Sequence, residues 1–114
     1  MRKETITNII ENLILERLEE CYSIKWIDIC QEIDEISNDE NDTIEIVEII
    51  SNSKKFNNIT LKNGKGFIVG KDKDSFSDFF EFTPISENDD VWNQYFYFNN
   101  QSMRLIDIKQ EIED

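Results

Sequence analysis

Between residues 5 and 22 the apolar side chains Ile6, Ile9, Ile10, Leu13, Ile14, Leu18 and Cys21 recur every three or four positions. That spacing puts them on one face of an amphipathic helix. Thr5 stands where a cap is needed, Glu11, Glu16, Arg17, Glu19 and Glu20 cover the other side, and Leu15 is the apolar exception. A second stripe, Trp26, Ile29, Cys30, Ile33 and Ile36, predicts another helix to about residue 36, with Ser23 as its cap. Residues 37–42 carry no apolar side chain and read as a loop. Residues 43–50 are ambiguous: Thr43-Ile44-Glu45-Ile46 alternates as a strand does, while Ile46, Val47, Ile49 and Ile50 suit a helix face. Asp42 with Glu45 resembles a capping box, and the density of β-branched residues argues the other way.

Beyond residue 57 the pattern turns toward strands. Lys62-Asn63-Gly64-Lys65 centres Asn-Gly in a two-residue turn, which predicts a hairpin with Ile59 opposite Ile68 and Thr60 opposite Phe67. After a charged loop at 71–74, residues 79–83 read as a strand stopped by Pro84, and 86–90 as a polar turn. Residues 94–98 and 103–108 read as a hairpin around 99–102. Alternation on its first strand predicts Phe96 and Phe98 inward and Tyr95 and Tyr97 outward. Nine of the thirteen aromatic residues fall between Phe76 and Phe98, so the core is expected on that sheet with the N-terminal helices packed against it.

The fold class implied is α+β, N-terminal helices packed on a mainly antiparallel sheet. A chain of 114 residues makes one domain, 1–114, with a helical part at 1–36 and a mainly β part at 43–112. Two arrangements fit stretches of this pattern. Two or three helices followed by the Lys-bearing hairpin look like a winged helix, and residues 59–70 with 95–112 look like a small SH3-like barrel. A shape of this kind does not name a function.

Charge narrows the choice. Twenty-five acidic against twelve basic residues give a net charge of −13, a field that repels phosphate backbones and anionic lipid surfaces. The longest apolar run is residues 95–98, far short of the ~20 residues of a membrane helix, and the N-terminal stretch is amphipathic rather than a secretory signal. A cytoplasmic protein with no membrane partner is expected, and its two cysteines fit a reducing compartment.

Catalytic constellations are scarce. The chain has no His, so Ser-His-Asp and Cys-His arrangements cannot form. Cys21 and Cys30 cannot make a zinc ligand set alone and read as small apolar residues. Gly64, Gly66 and Gly70 do not form a phosphate-binding loop. Asn38, Glu40 and Asp42 begin like a calcium loop, but Thr43 stands where Gly is required and Ile49 where the last carboxylate belongs. Asp89 or Asp90 with Asp107-Ile108-Lys109 resembles the acidic-x-Lys pattern of metal-dependent nucleases, a short and common pattern. No catalytic residue, cofactor or metal is therefore expected, and the protein is read as a non-enzyme.

The charge is unevenly placed. No Lys or Arg occurs between Lys25 and Lys54, whereas Asp28, Glu32, Asp34, Glu35, Asp39, Glu40, Asp42, Glu45 and Glu48 do. Six of the twelve basic residues, Lys54, Lys55, Lys62, Lys65, Lys71 and Lys73, gather around the hairpin. On the first reading the nine carboxylates imitate nucleic-acid phosphates. They would bind a basic nuclease, toxin or defence effector, as immunity proteins and phage anti-defence or anti-CRISPR inhibitors do, and opposed fields would speed association. On the alternative, a winged-helix regulator touches DNA through Lys54, Lys55, Lys62 and Lys65. Against this, the third helix would carry Glu45 and Glu48 and no base-reading Arg.

Overall fold

The computed structural model describes residues 2–21, 23–60, 66–71, 73–81, 87 and 89–113. Ile6, Ile10 and Ile14 lie one helical turn apart and are fully buried on α1 (Lys3–Glu20), while Ile9 and Cys21, expected on the same stripe, are exposed. The chain then enters β1 (Ser23–Lys25), so Ser23 is a strand residue and no cap. Extended backbone here aims Ile24 into the core opposite Ile68 and runs directly into α2 (Trp26–Ser37), whose N-cap is Lys25. Asn38 ends α2 in the left-handed conformation, which Asn tolerates better than most residues.

The ambiguous stretch is helical. α3 (Glu40–Ser51) starts inside the expected polar loop because the Asp39 carboxylate accepts the Asp42 backbone N–H at 3.0 Å, the bond that an N-cap supplies. Ile46 and Ile50, four residues apart, are then both fully buried. Tertiary burial of that pair outweighs the strand preference of β-branched residues.

β2 (Asn57–Thr60) and β3 (Gly66–Val69) pair antiparallel, one residue out of the expected register: Ile59 faces Phe67 and Thr60 faces Gly66. Residues 61–65, including Asn63-Gly64, lie outside the described residues. A one-residue slip would exchange the faces of the sheet. The observed register sends Ile59 and Phe67 together into one core and leaves Ile68 for the other. Gly66 has φ +152°, and a Cβ there would lie 2.2 Å from the Ile59 carbonyl oxygen, so this close pairing requires glycine.

Residues 73–81 form α4 (Lys73–Glu81), where sequence reading expected a strand over 79–83; residues 82–86 lie outside the described residues. Phe76 and Phe80 are buried at i and i+4, a helical spacing that alternation within the Phe run concealed. A short α5 (Asp89–Trp92) precedes β4 (Tyr95–Phe98) and β5 (Gln101–Arg104). Their turn is Asn99-Asn100, both residues at positive φ, as a two-residue hairpin requires. The expected second strand stops at Arg104, and α6 (Leu105–Glu113) follows with Leu105 and Ile108 buried. The stretch 43–112, expected to be mainly β, thus contains at least as much helix as strand.

The five strands form one open antiparallel sheet in the order β1-β3-β2-β4-β5. The α+β class is what the sequence implies, and an open sheet is not a barrel. The aromatic core and the N-terminal helices do not share a face. α1, α2 and α3 cover one side over an Ile-rich cluster with Trp26 and Phe56, and α4 and α6 cover the other over a Phe-rich cluster. Over residues 3–69 the order helix, strand, helix, helix, strand, strand, with β3 between β1 and β2, is winged-helix connectivity. The β4–β5 hairpin extends that sheet beyond β2.

Candidate functional site

The acidic block falls on α2, α3 and the corner joining them. On α2, Asp28, Glu32 and Glu35 recur at helical spacing on one side, with Asp34 set apart. Glu32 is not available for a partner: it is half-buried and ion-paired with Arg17 of α1. Asp28, Asp34 and Glu35 are exposed.

On α3 the buried side holds Ile46 and Ile50, and the outward side carries Asn41, Ile44, Glu45 and Glu48 one turn after another. Ile44 is 59% exposed and Ile49 is 49% exposed, an apolar pair among carboxylates. α3 contains no Lys or Arg. Glu45 is bridged to Lys3 of α1, and Lys3 with Glu4, Thr7, Asn8, Glu45 and Ile49 lines a shallow groove between the two helices. The exposed Lys3 ammonium is held above its usual range by its hydrogen bond to Glu45 and the attraction of that carboxylate. Asp39 is engaged as the cap of α3, and Ser37 and Thr43 hydrogen-bond across the same corner.

Of the nine carboxylates, the structure therefore leaves Asp28, Asp34, Glu35, Glu40 and Glu48 exposed, Asp42 half-buried, and Glu32, Asp39 and Glu45 engaged within the chain. Sequence reading missed Ile44 and Ile49 as surface residues. Their spacing against Ile46 and Ile50 would have revealed them once α3 was taken as a helix.

The basic residues are less concentrated. Lys55 lies 3.7 Å from Glu11. Lys54 and Lys71 line a separate cleft with Asn57, Phe98, Asn99 and Glu111. Lys62 and Lys65 lie outside the described residues. The acidic-x-Lys pattern begins α6 rather than ending a strand, and its members point to different neighbours. Asp107 accepts hydrogen bonds from Arg104 at 3.1 and 3.4 Å, and Lys109 Nζ sits 5.3 Å from the Trp92 ring centroid. Among the described residues no three acidic or thiol groups are grouped to hold a metal ion, and no helix is long and apolar enough to cross a membrane. Cys21 is exposed beyond α1, and Cys30 is half-buried, its thiol pushed up to about 11 by burial. No family model, curated protein or solved structure matches the chain.

Proposed function

We propose that the protein is a non-enzymatic inhibitor that offers the outward face of α3, with Asp28 and Glu35 of α2, to a basic nucleic-acid-handling protein. The observation that carries this reading is the surface of α3, where exposed Ile44 and Ile49 are set among carboxylates with no cation on the helix. In winged-helix connectivity this third helix is the one that enters the DNA groove. Here it bears the sign of the nucleic acid itself. A cationic partner would gain charge complementarity from the carboxylates along this face and apolar burial from Ile44 and Ile49, which flank them on either side of the helix. A toxin, nuclease or defence effector is the class of partner this face suits.

Two substitutions test this face while sparing the pairings within the chain. Glu40→Lys with Glu48→Lys reverses exposed charges while keeping the Asp39 cap and the Glu32 and Glu45 ion pairs. A basic nuclease or effector captured on the wild-type protein should be inhibited, released by duplex DNA, and bound more slowly by this variant. The loss should be greatest at low salt, since the Debye length falls from ~30 Å at 0.01 M to ~10 Å at 0.1 M. Unchanged capture and inhibition with the variant would refute the reading.

The helix–strand–helix–helix–strand–strand order favours one other reading, a duplex-binding regulator using the hairpin lysines. It predicts a low-salt gel shift of duplex DNA that is lost on neutralising Lys54, Lys55, Lys62 and Lys65 and strengthened by Glu48→Lys.

A further inference from the structure

On the side of the sheet away from the three N-terminal helices, α4, α5 and α6 border an open cleft of about 390 Å³. Its apolar wall is Phe80 with Trp92, ring centroids 5.0 Å apart. Glu81 and Glu113 stand at its rim, with Ser77 donating a 2.9 Å hydrogen bond to Glu113 Oε1. Lys109 Nζ reaches over the Trp92 ring, 5.3 Å from its centroid, and lies 3.9 Å from Glu113 Oε1. We propose that this cleft is a binding site for alkylammonium cations and that the chain's own Lys109 holds the cation position over Trp92 in the absence of a ligand.

Two independent kinds of chemistry in the cleft favour a cation: the negative face of an indole and a pair of carboxylates. The ammonium already seated there shows the ligand class that this combination holds. The apolar wall suits an alkyl stem behind the charged head, while an anion would meet Glu81 and Glu113. Lys109 is displaceable. Its side chain is 38% exposed and Glu113 is 37% exposed, and an ion pair made in that much water is held only weakly. An incoming ammonium takes the place over Trp92, and the Lys109 head returns to solvent.

The ammonium could come from a free polyamine or from a partner's lysine side chain. Titrations of the ¹⁵N-labelled protein at constant ionic strength with butylammonium, 1,4-diaminobutane and N-acetyl-lysine amide separate these sources, and butyrate serves as the anionic control. Saturable shifts are expected at the amides of Ser77, Phe80, Trp92 and Lys109 with ammonium probes and none with butyrate. Tighter binding of the diamine than of the blocked lysine identifies a polyamine site, and the reverse a lysine site. Lys109→Ala should bind roughly fivefold more tightly, because the internal competitor is gone. Glu81→Gln with Glu113→Gln should bind more weakly, with the amides of Ile24 and Ile68 unmoved as evidence of an intact fold. Absence of saturable shifts, or equal affinity in wild type and Lys109→Ala, would overturn the proposal.

Discussion

Ile59 of β2 stands opposite Phe67 of β3, and both side chains enter the aromatic cluster beneath α4 and α6. The next residue, Ile68, turns through the sheet to meet Ile24 under the N-terminal helices. Each strand thus feeds two cores. Ile68→Ala, at a fully buried position, should cost about 2–5 kcal/mol in urea unfolding. Ile44→Ala, on the exposed face of α3, should change stability little while weakening capture of a basic partner.

The β4 strand offers a sharper contrast between adjacent residues. Phe96 is buried in the aromatic cluster and Tyr95 is 61% exposed. Phe96→Ala should lose about 3–5 kcal/mol, and Tyr95→Ala should stay within about 0.5 kcal/mol of wild type. Chemical denaturation of the two variants checks the alternation directly. A larger loss at Tyr95 would mean that the strand faces the other way.

Asp39 combines two roles that substitution can separate. Asp39→Ala removes the bond to the Asp42 N–H and should destabilise the protein by about 0.5–2 kcal/mol, whereas Asp39→Asn keeps a capping oxygen and removes only the charge. Thermal melts should therefore rank Asn close to wild type and Ala below it. If the two melt alike, the cap is not what starts α3.

Cys30 predicts a dependence on alkaline pH. Its folded-state thiol is raised from the ordinary 9.0 to about 11 by burial, so the unfolded chain gives up this proton first. The contribution to stability is complete below pH 9 and is lost as pH rises through 9 to 11. Cys30→Ala should flatten that part of the stability curve relative to wild type. At pH 8 a thiol reagent should label exposed Cys21 well before Cys30.

The elements that sequence reveals best are those whose apolar residues repeat along a single face. Ile6, Ile10, Leu13 and Ile14 announce α1 because steps of three and four share a helix face, whereas the odd step from Ile10 to Leu13 would put those two on opposite faces of a strand. Phe76, Phe79 and Phe80 fit a helix equally well, but neighbouring Phe82 creates a false alternation, and the strong strand preference of aromatics then favours the wrong element. In the candidate site the sign of the charge is legible at once. Which carboxylates are occupied is not, because Glu32 meets Arg17 from 15 residues away and Glu45 meets Lys3 from 42. Such pairings exist only after the helices pack.

The tip of the β4–β5 hairpin ties the chain together. The Asn99 N–H bonds the Asn58 carbonyl at 3.1 Å, the Asn58 N–H returns a bond to Asn99 Oδ1 at 3.2 Å, and Asn100 Nδ2 reaches Asn52 Oδ1 at the end of α3 at 2.7 Å. A fragment ending after β3 would keep winged-helix connectivity yet leave the β2 edge open and the Phe67 side of the sheet bare. An uncovered edge beside an apolar face invites pairing between chains. The later helices and hairpin therefore act as a built-in guard against aggregation, and the two halves should be gained and lost together in a single cooperative step.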